Sequence, residues 1–328
     1  MEPYDENLFG FCTSGNVDEL LHRCGSDLTG ILGTSKIEEL TKLTNRIDNL
    51  SNIIRLSSVV LESNIPSTYM EICKSTNLDI KDAALLVLSE YTKLPQAKLL
   101  DIISNANSIG EILWTQYVKD PDAITQELLD GYYNQCGNYN LYLQRYFSSL
   151  NVSLGTALIG YVALVASQMG GKCFDFGGGI GNLSASISKL GHKEVYMVET
   201  DKKQLDFVKW KDKKSGIENI NYIGLDEIDD FFDSNQASFK FGAAIELLEH
   251  VMDPPALMEK LGSLIEPGGY LFLVNSFHVY PHPGHLKSNV QYTNKEEEIL
   301  KPLGFVRAEF NDPAIPFLFN WKLFQKVS

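Results

Sequence analysis

The sequence lacks any run of about 18 apolar residues, the length that a membrane-spanning helix requires. It also lacks the basic N-terminal region of a signal peptide, because residues 1–6 carry acids and no base. Its five cysteines form no Cys-x-x-Cys pair, and their odd number and wide spacing fit a reduced chain. Together these absences predict a cytoplasmic protein that does not enter a membrane.

Basic residues are scarce as well. The chain has 28 Lys and Arg against 42 Asp and Glu, so its net charge is −14, and both halves are acidic. A phosphate-binding surface needs the opposite sign, which disfavours DNA, bulk RNA and anionic membranes as partners. The 328 residues, 44% of them apolar, are enough for two domains with cores of their own.

The first predicted domain, residues 1–150, has helical periodicity throughout. Ser35 and Glu38 predict a capping box at the start of a long helix, and Pro66 and Pro95 predict the starts of two more. The segment after Pro66 has the spacing of a helix-turn-helix, but the acidic charge argues against DNA reading. An all-α cap or dimerisation domain is the better interpretation.

In the second predicted domain, residues 151–328, strands alternate with helices, which predicts an α/β fold with a seven-stranded, mostly parallel, doubly wound sheet. The predicted helices cover residues 182–190, 201–212, 254–265 and 293–302. The predicted strands cover residues 173–176, 194–199, 220–224, 241–247, 270–275, 305–310 and 317–324. Since Asn311-Asp-Pro separates the last two strands without a helix, we expect an antiparallel hairpin at the sheet edge.

The most informative segment is a strand followed by a glycine turn and a helix. The strand carries Asp175, and Gly177, Gly179 and Gly181 follow at every second position. Such a turn brings backbone N–H groups and a helix N-terminus against a nucleotide-like ligand, although the turn alone also fits a plain strand-to-helix loop. A dinucleotide motif would need glycine where Asn182 stands, so an NAD-type cofactor is disfavoured.

Glu199 ends the second predicted strand, 18 residues after Gly181. An acid at this place and distance can bind both ribose hydroxyls of a nucleotide-like ligand. Asp201, just beyond it, is predicted to cap the following helix.

The ordered set of motifs resembles the class I methyltransferases that depend on S-adenosylmethionine (SAM). Besides the glycine turn and Glu199, it includes Leu247-Leu-Glu-His-Val and Glu266-Pro-Gly-Gly, and it covers residues 155–310. The resemblance implies SAM as cofactor, with the glycine turn against its methionine end and Asp175 near its amino group. It further implies that Asp226 accepts from the adenine amino group while Leu225 covers the ring.

The two-domain layout resembles small-molecule O-methyltransferases, in which a helical and often winged-helix-like N-terminal domain precedes the SAM domain. This likeness implies a small organic acceptor, with a hydroxyl oxygen favoured over carbon or nitrogen, and a homodimer formed through the helical domain. Two alternatives stay open. One is a protein or peptide methyltransferase, and the other is a SAM-binding partner subunit or regulator without activity.

Histidines near the expected methyl position are the candidate catalytic residues: His250, His278 and His282. His250 follows the fourth strand and is either the base for a hydroxyl or a positioning residue. His278, His282 and His285 lie on a proline-rich loop after the fifth strand, where they contact substrate, supply the base, bind a metal or stay solvated. No acid stands beside them in the sequence and a sulfonium needs no metal, so no metal is predicted.

Five tyrosines lie between residues 132 and 146, just before the SAM domain. The spacing of Tyr139, Tyr142 and Tyr146 predicts one helical face. This face is either a lid over the site or a packing surface between the domains, since tyrosine suits both.

Overall fold

The computed structural model describes residues 37–76, 78–308 and 321–327. The regular elements among the described residues before the sheet are all helices, which confirms the prediction, and helices begin at Ser67 and Gln96 directly after Pro66 and Pro95. The predicted cap at Ser35 lies outside the described residues. The helices are α1 (Ile37–Asn64), α2 (Ser67–Thr76), α3 (Ile80–Thr92), α4 (Gln96–Tyr117), α5 (Gln126–Asn138), α6 (Leu141–Ser149) and α7 (Leu154–Met169).

The rest of the chain forms a seven-stranded sheet with helices on both faces. In order, its elements are β1 (Lys172–Phe176), α8 (Asn182–Lys189), β2 (Val195–Val198), α9 (Lys202–Lys214), β3 (Ile220–Ile223), α10 (Ile228–Ser234), β4 (Phe239–Ile245), α11 (Pro254–Leu264), β5 (Ile265–Val274), α12 (Glu296–Leu300), β6 (Phe305–Ala308) and β7 (Trp321–Lys326).

The strand order is β3-β2-β1-β4-β5-β7-β6. The first five strands pair in parallel, and β7 is antiparallel to both β5 and β6. This confirms the doubly wound α/β prediction and places the antiparallel pair at the sheet edge, as expected. The predicted turn at Asn311-Asp-Pro lies outside the described residues. The ligand edge is the one where the parallel strands end, and the order reverses between β1 and β4.

Three elements differ from the prediction. β4 ends at Ile245 instead of Leu247, because Glu246, whose N–H makes the last ladder bond to the Val274 carbonyl oxygen at 2.7 Å, adopts φ 50° and turns the chain out of the strand. β5 begins at Ile265 instead of Tyr270, since the predicted Pro-Gly-Gly turn is a bulge at which the pairing register shifts. The short helix α10 has no counterpart among the predicted helices.

Helix α1 packs directly on α7, which leads into β1. A Cβ on Gly160 of α7 would lie 1.9 Å from the Leu56 carbonyl oxygen of α1, so the two backbones touch there. Ser57 adds a hydrogen bond from its hydroxyl to the Ser153 carbonyl oxygen at 3.3 Å. The second half of α1 therefore belongs to the packing of the sheet domain, although it precedes that domain by about a hundred residues in sequence.

A buried polar network joins the end of α1 to the sheet domain. The side-chain amide of Asn64 donates to the carbonyl oxygen of Asn182, the first residue of α8, at 3.2 Å. Asn64 accepts a hydrogen bond from Lys211, a fully buried lysine whose Nζ lies 2.9 Å from Asp212 Oδ1. Tyr146 donates to the Asn64 carbonyl oxygen at 2.9 Å. The network holds the start of α8 against α1.

Among the tyrosines, Tyr142 and Tyr146 are buried and pack on Phe207 of α9, with ring centroids 5.6 and 5.0 Å apart. Tyr139 lies between α5 and α6 and is half exposed, so it does not share their face. For this pair of tyrosines the packing interpretation holds.

The predicted homodimer stays a prediction. Among the described helices none alone is long and apolar enough to span a membrane, and the bent pair α6 and α7 passes by length and composition only.

Candidate functional site

The glycine turn lies between the ends of β1, β2 and β4. Gly177, Gly179 and Gly181 have φ of 73°, 59° and 76°, a region that favours glycine. A Cβ on Gly177 would lie 2.8 Å from a Leu247 methyl carbon, so the chain after β4 packs tightly on the turn. A Cβ on Gly179 would meet nothing closer than 4.0 Å, so this glycine faces open space. The turn thus has one packed side and one side free for a ligand.

Glu199 follows β2 and fastens the turn. Its Oε2 accepts from the Gly179 N–H at 2.9 Å, and its Oε1 accepts from the Asp201 N–H at 2.9 Å. Burial raises the pKa of this carboxyl, and the two N–H groups partly oppose that effect. Asp201 caps α9 by accepting from the N–H groups of Lys203 and Gln204, as predicted. Because a carboxylate can accept about four hydrogen bonds, each Glu199 oxygen keeps capacity for a ribose hydroxyl.

Asp175 lies beneath the turn and is only 4% exposed. Its Oδ2 accepts from the Ser184 hydroxyl at 2.7 Å, and burial raises its pKa to about 6. The contact ties β1 to the first turn of α8. Its predicted role toward the SAM amino group stays a prediction.

Leu225 and Asp226 lie on a short 3-10 turn directly after β3. Leu225 is 64% exposed, an unusual state for a large apolar side chain at a strand end. Glu227, the acid that follows Asp226, accepts a hydrogen bond from the Gly224 N–H at 2.9 Å. An exposed leucine next to an exposed aspartate is what the predicted adenine site requires, and this assignment also stays a prediction.

His250 ends a 3-10 turn after β4, and its neighbours come from distant segments. The His285 ring lies 4.7 Å from it, centroid to centroid, and the Tyr133 ring of α5 lies 6.3 Å away. Burial lowers the pKa of His250 to about 3, and His285 adds to the effect. His250 is therefore a neutral imidazole at physiological pH and a weak base.

The other predicted catalytic histidines lie apart from this centre. His282 is exposed and its ring packs on His285, with ring centroids 4.5 Å apart, while its Nδ1 lies 3.0 Å from the Pro283 carbonyl oxygen. His278 is exposed and lines a separate pocket with Asn275 and Glu296. The structure thus brings His250, His285 and, at the margin, His282 together, and places His278 elsewhere.

An acid lies beside the histidines in space, although none stands in the loop of residues 278–285. Glu249 is buried, and its ligand atom and those of His250 and His285 all lie within 4.8 Å of one another. These three residues could hold a metal ion. Burial and the neighbouring carboxyl of Glu246 raise the pKa of Glu249, and its Oε1 accepts from the Ser276 N–H at 3.1 Å.

Sequence reasoning missed Tyr133 and Glu249. Tyr133 belongs to the tyrosine-rich segment, but it lies on a different helix from Tyr142 and Tyr146 and covers the site instead of packing on Phe207. Glu249 stands inside the Leu-Glu-His motif, where the sequence gives no sign that it is buried beside histidines. Only its adjacency to His250 was available as a signal.

The depressed pKa of His250 predicts a pH-dependent stability. The unfolded chain binds a proton below the usual pKa of 6.5 while the folded protein stays neutral down to about 3, so stability falls as pH decreases through this window. We expect His250→Gln to remove this pH dependence of the free energy of unfolding, whose slope is about 1.4 kcal/mol per pH unit at its steepest. Urea unfolding of both proteins at pH 7, 5.5 and 4.5 measures it.

Other groups around His250 titrate too, and some act with the opposite sign. Burial lowers the pKa of His285, whereas it raises the pKa of Asp175 and Glu249. These groups, and Arg145 and His282 nearby, are present in both the wild type and His250→Gln. The difference between the two pH profiles of stability therefore isolates His250. Parallel pH profiles for the two proteins would contradict the assignment of a buried, neutral His250.

Comparison with known proteins agrees with this geometry. Residues 155–300 match a family model described as a methyltransferase domain. This confirms the predicted likeness to class I SAM-dependent methyltransferases for the part of the chain that holds the glycine turn, Glu199 and His250.

Relatives of the methyltransferase domain include a ubiquinone biosynthesis O-methyltransferase of Xanthomonas axonopodis pv. citri (strain 306). It is 30% identical over 121 residues, which cover 37% of this chain and 49% of that protein. The protein of the same name from Xylella fastidiosa (strain M23) is 29% identical over 121 residues, covering 37% and 48%. The chain thus spans about half the length of the curated relatives it matches.

Among solved structures, an O-methyltransferase family protein from Burkholderia thailandensis aligns with 91% of this chain and 99% of its own. The sequence identity is 13% and the TM-score is 0.49.

SAM is the cofactor of this methyltransferase class, and the residues present fit it. The open side of Gly179 leaves room for the ligand backbone, and the Glu199 oxygens keep lone pairs for the ribose. The exposed Leu225 offers an apolar surface for the adenine ring. SAM supplies a methyl group already activated by a sulfonium, so the chain's own residues need only bind, orient and accept a proton.

Proposed function

We propose that the protein transfers a methyl group from SAM to a hydroxyl oxygen of a small organic acceptor. The observation that carries this proposal is the position of the half-buried His250 just after β4, next to the chain that packs on the glycine turn. Its ring is neutral at physiological pH and can take a hydroxyl proton, but its lowered pKa makes it a weak base, so orientation of the acceptor is the larger part of its role. The O-methyltransferase names of the relatives support the same choice.

The reaction balances without a further reactant. The acceptor oxygen forms a bond to the methyl carbon while the carbon–sulfur bond of the donor breaks, and the bonding pair stays on sulfur. The hydroxyl proton passes to a ring nitrogen of His250. Holding oxygen, methyl carbon and sulfur in line is the main contribution of the protein, and its helical half supplies cover from water.

A small acceptor agrees with the charge and the enclosure of the site. The net charge of −14 disfavours nucleic acids, and the Tyr133 ring of α5 packs on the edge of His250. The exposed His282 lies on the outer side of His285, where it is available to the distal part of an acceptor.

The test combines binding with transfer. Calorimetry is expected to show SAM and S-adenosylhomocysteine binding, and incubation with methyl-labelled SAM is expected to label a hydroxyl acceptor from a panel of phenols, alcohols, thiols, amines and a short peptide. Mass spectrometry of the product identifies the methylated atom. Labelling of the peptide or an amine would replace this proposal, binding without any labelling would favour a non-catalytic SAM-binding protein, and absence of binding would overturn both.

A further inference from the structure

Asn64, the last residue of α1, reaches from the helical half of the chain to the helix that follows the glycine turn. The residue is fully buried, and both amide N–H groups and the amide oxygen are engaged. The amide nitrogen donates to the Val60 carbonyl oxygen of its own helix at 2.9 Å and to the Asn182 carbonyl oxygen of α8 at 3.2 Å. The amide oxygen accepts from Lys211 of α9. One side chain thus connects three helices.

The orientation of this amide is fixed by Lys211. An ammonium group only donates, so the amide oxygen faces Lys211 and the two N–H groups face the carbonyl oxygens. Lys211 is itself fully buried, with its Nζ 2.9 Å from Asp212 Oδ1, and Asp212 accepts from the Tyr222 hydroxyl at 2.9 Å. A buried charge cannot leave such partners without a large penalty, so the network holds Asn64 in one place.

Among the described residues no side chain caps the start of α8. Gly181 occupies the cap position with φ 76° and has no side chain to accept from the first N–H groups. A cap would occupy N–H groups that the predicted donor site offers to the methionine end of SAM. The first turn is therefore fastened from its sides. Ser184 donates to Asp175 at 2.7 Å, and the Asn182 carbonyl oxygen is held from α1.

We infer that Asn64 is a positioning residue for the methyl donor, which sets the affinity for SAM by holding the first turn of α8 in place. Because it is fully buried, it acts through α8 and not by contact with the donor. Without this hydrogen bond the free protein populates conformations with a displaced turn, and the observed affinity falls with the fraction that stays competent to bind. The inference rests on SAM as the donor and holds for any acceptor.

The variant Asn64→Asp separates the two sides of the amide. It keeps an acceptor for Lys211, and the neighbouring ammonium keeps the new carboxyl ionised. It loses both N–H donors and places an oxygen against the Asn182 carbonyl oxygen. Tyr146→Phe is a milder variant, because it removes only the hydrogen bond from the Tyr146 hydroxyl to the Asn64 carbonyl oxygen.

Ser57→Ala is the matched control. Ser57 is a buried polar residue of the same helix, and its hydroxyl donates to a carbonyl oxygen just before α7 and not to α8. Its removal therefore costs a buried hydrogen bond of α1 without releasing the first turn of α8.

Two probes distinguish positioning of the turn from a general loss of structure. S-adenosylhomocysteine carries the methionine part of the donor, whereas methylthioadenosine lacks it, and both carry the adenosine part. Calorimetry measures the two dissociation constants for the wild type and each variant, and urea unfolding measures the stability.

We expect Asn64→Asp to weaken S-adenosylhomocysteine binding by about three- to tenfold, the range for loss of one hydrogen bond. Tyr146→Phe is expected to weaken it by a smaller factor. Both are expected to leave the affinity for methylthioadenosine unchanged, since the predicted adenosine contacts at Glu199 and Leu225 follow other strands. Ser57→Ala is expected to lower the stability and to leave both affinities unchanged.

Equal S-adenosylhomocysteine affinities for Asn64→Asp and Ser57→Ala would overturn the inference, because Asn64 would then stabilise the fold only. An equal loss of affinity for both probes would overturn it too, since a hydrogen bond at α8 does not act on the adenosine part. If Asn64→Asp does not fold, Tyr146→Phe decides: a loss confined to S-adenosylhomocysteine supports the inference, and no loss overturns it. A failure of the proposed function appears differently, as S-adenosylhomocysteine binding by the wild type without methyl transfer to any hydroxyl.

Discussion

Replacement of Glu199 by glutamine is expected to lower the affinity for SAM by about 100-fold, measured by calorimetry. Glu199 has two tasks that both need two acceptor oxygens. It accepts from the N–H groups of Gly179 and Asp201, and in its predicted role its remaining lone pairs accept from the ribose hydroxyls. The amide of glutamine puts a donor where one oxygen stood, so it loses a backbone contact together with a hydrogen bond to the ribose.

The size of the effect follows from the kind of hydrogen bond. A hydrogen bond to a charged group contributes about 1.5–3 kcal/mol, and 2.7 kcal/mol corresponds to about 100-fold in affinity. Glu194→Gln is the matched control, because Glu194 is an exposed acid just before the other end of β2. Equal SAM affinities for Glu199→Gln and Glu194→Gln would show that the ribose is bound elsewhere.

Local patterns in the sequence were sufficient to predict the glycine turn and the position of Glu199 beside it. The glycine turn and Glu199 each belong to one strand and the turn that follows it, and parallel pairing of β1 with β2 brings them together without further information. Even the cap at Asp201 is local, since its carboxylate accepts from N–H groups two and three residues ahead. Such features depend on spacing and residue type, which a sequence displays.

The acceptor half could not be predicted in the same way. His250, His285 and Tyr133 come from three segments that meet only after folding, and their spacing in sequence carries no sign of the contact. His278, His282 and His285 share one loop, so the sequence does not show which of them lies next to His250. The turn of that loop at Gly284 decides which of them faces inward, and burial decides the protonation of His250.

The boundary between the helical and the sheet parts of the chain was likewise only partly predictable from the sequence. Composition changes near residue 150, so the sequence predicts a helical domain followed by a sheet domain. The second half of α1 nevertheless packs on α7 and α8, and Asn64 reaches the first residue of α8. A contact between segments about a hundred residues apart produces no periodic pattern in the sequence. The sequence feature that indicates this one is a glycine inside a helix.

That glycine gives the prediction with the largest effect on stability. Gly160→Ala is expected to destabilise the protein by about 3 kcal/mol, because the new Cβ would lie 1.9 Å from the Leu56 carbonyl oxygen and backbone cannot move aside as a side chain does. Helices α1 and α7 must separate, which also pulls Asn64 away from α8. The measurement is the free energy of unfolding in urea, with SAM affinity as a second readout.

Gly155→Ala in the same helix is the control, and its expected effect has the opposite sign. Gly155 is exposed and its added Cβ would find nothing closer than the Ser153 hydroxyl oxygen at 3.9 Å. Since alanine favours the helix over glycine by about 0.5–1 kcal/mol, Gly155→Ala is expected to stabilise the protein. Similar effects for the two substitutions would mean that α1 does not contact α7 closely. Destabilisation by Gly160→Ala alone, together with weakened SAM binding, would show that a helix far from the glycine turn in sequence holds the donor site in shape.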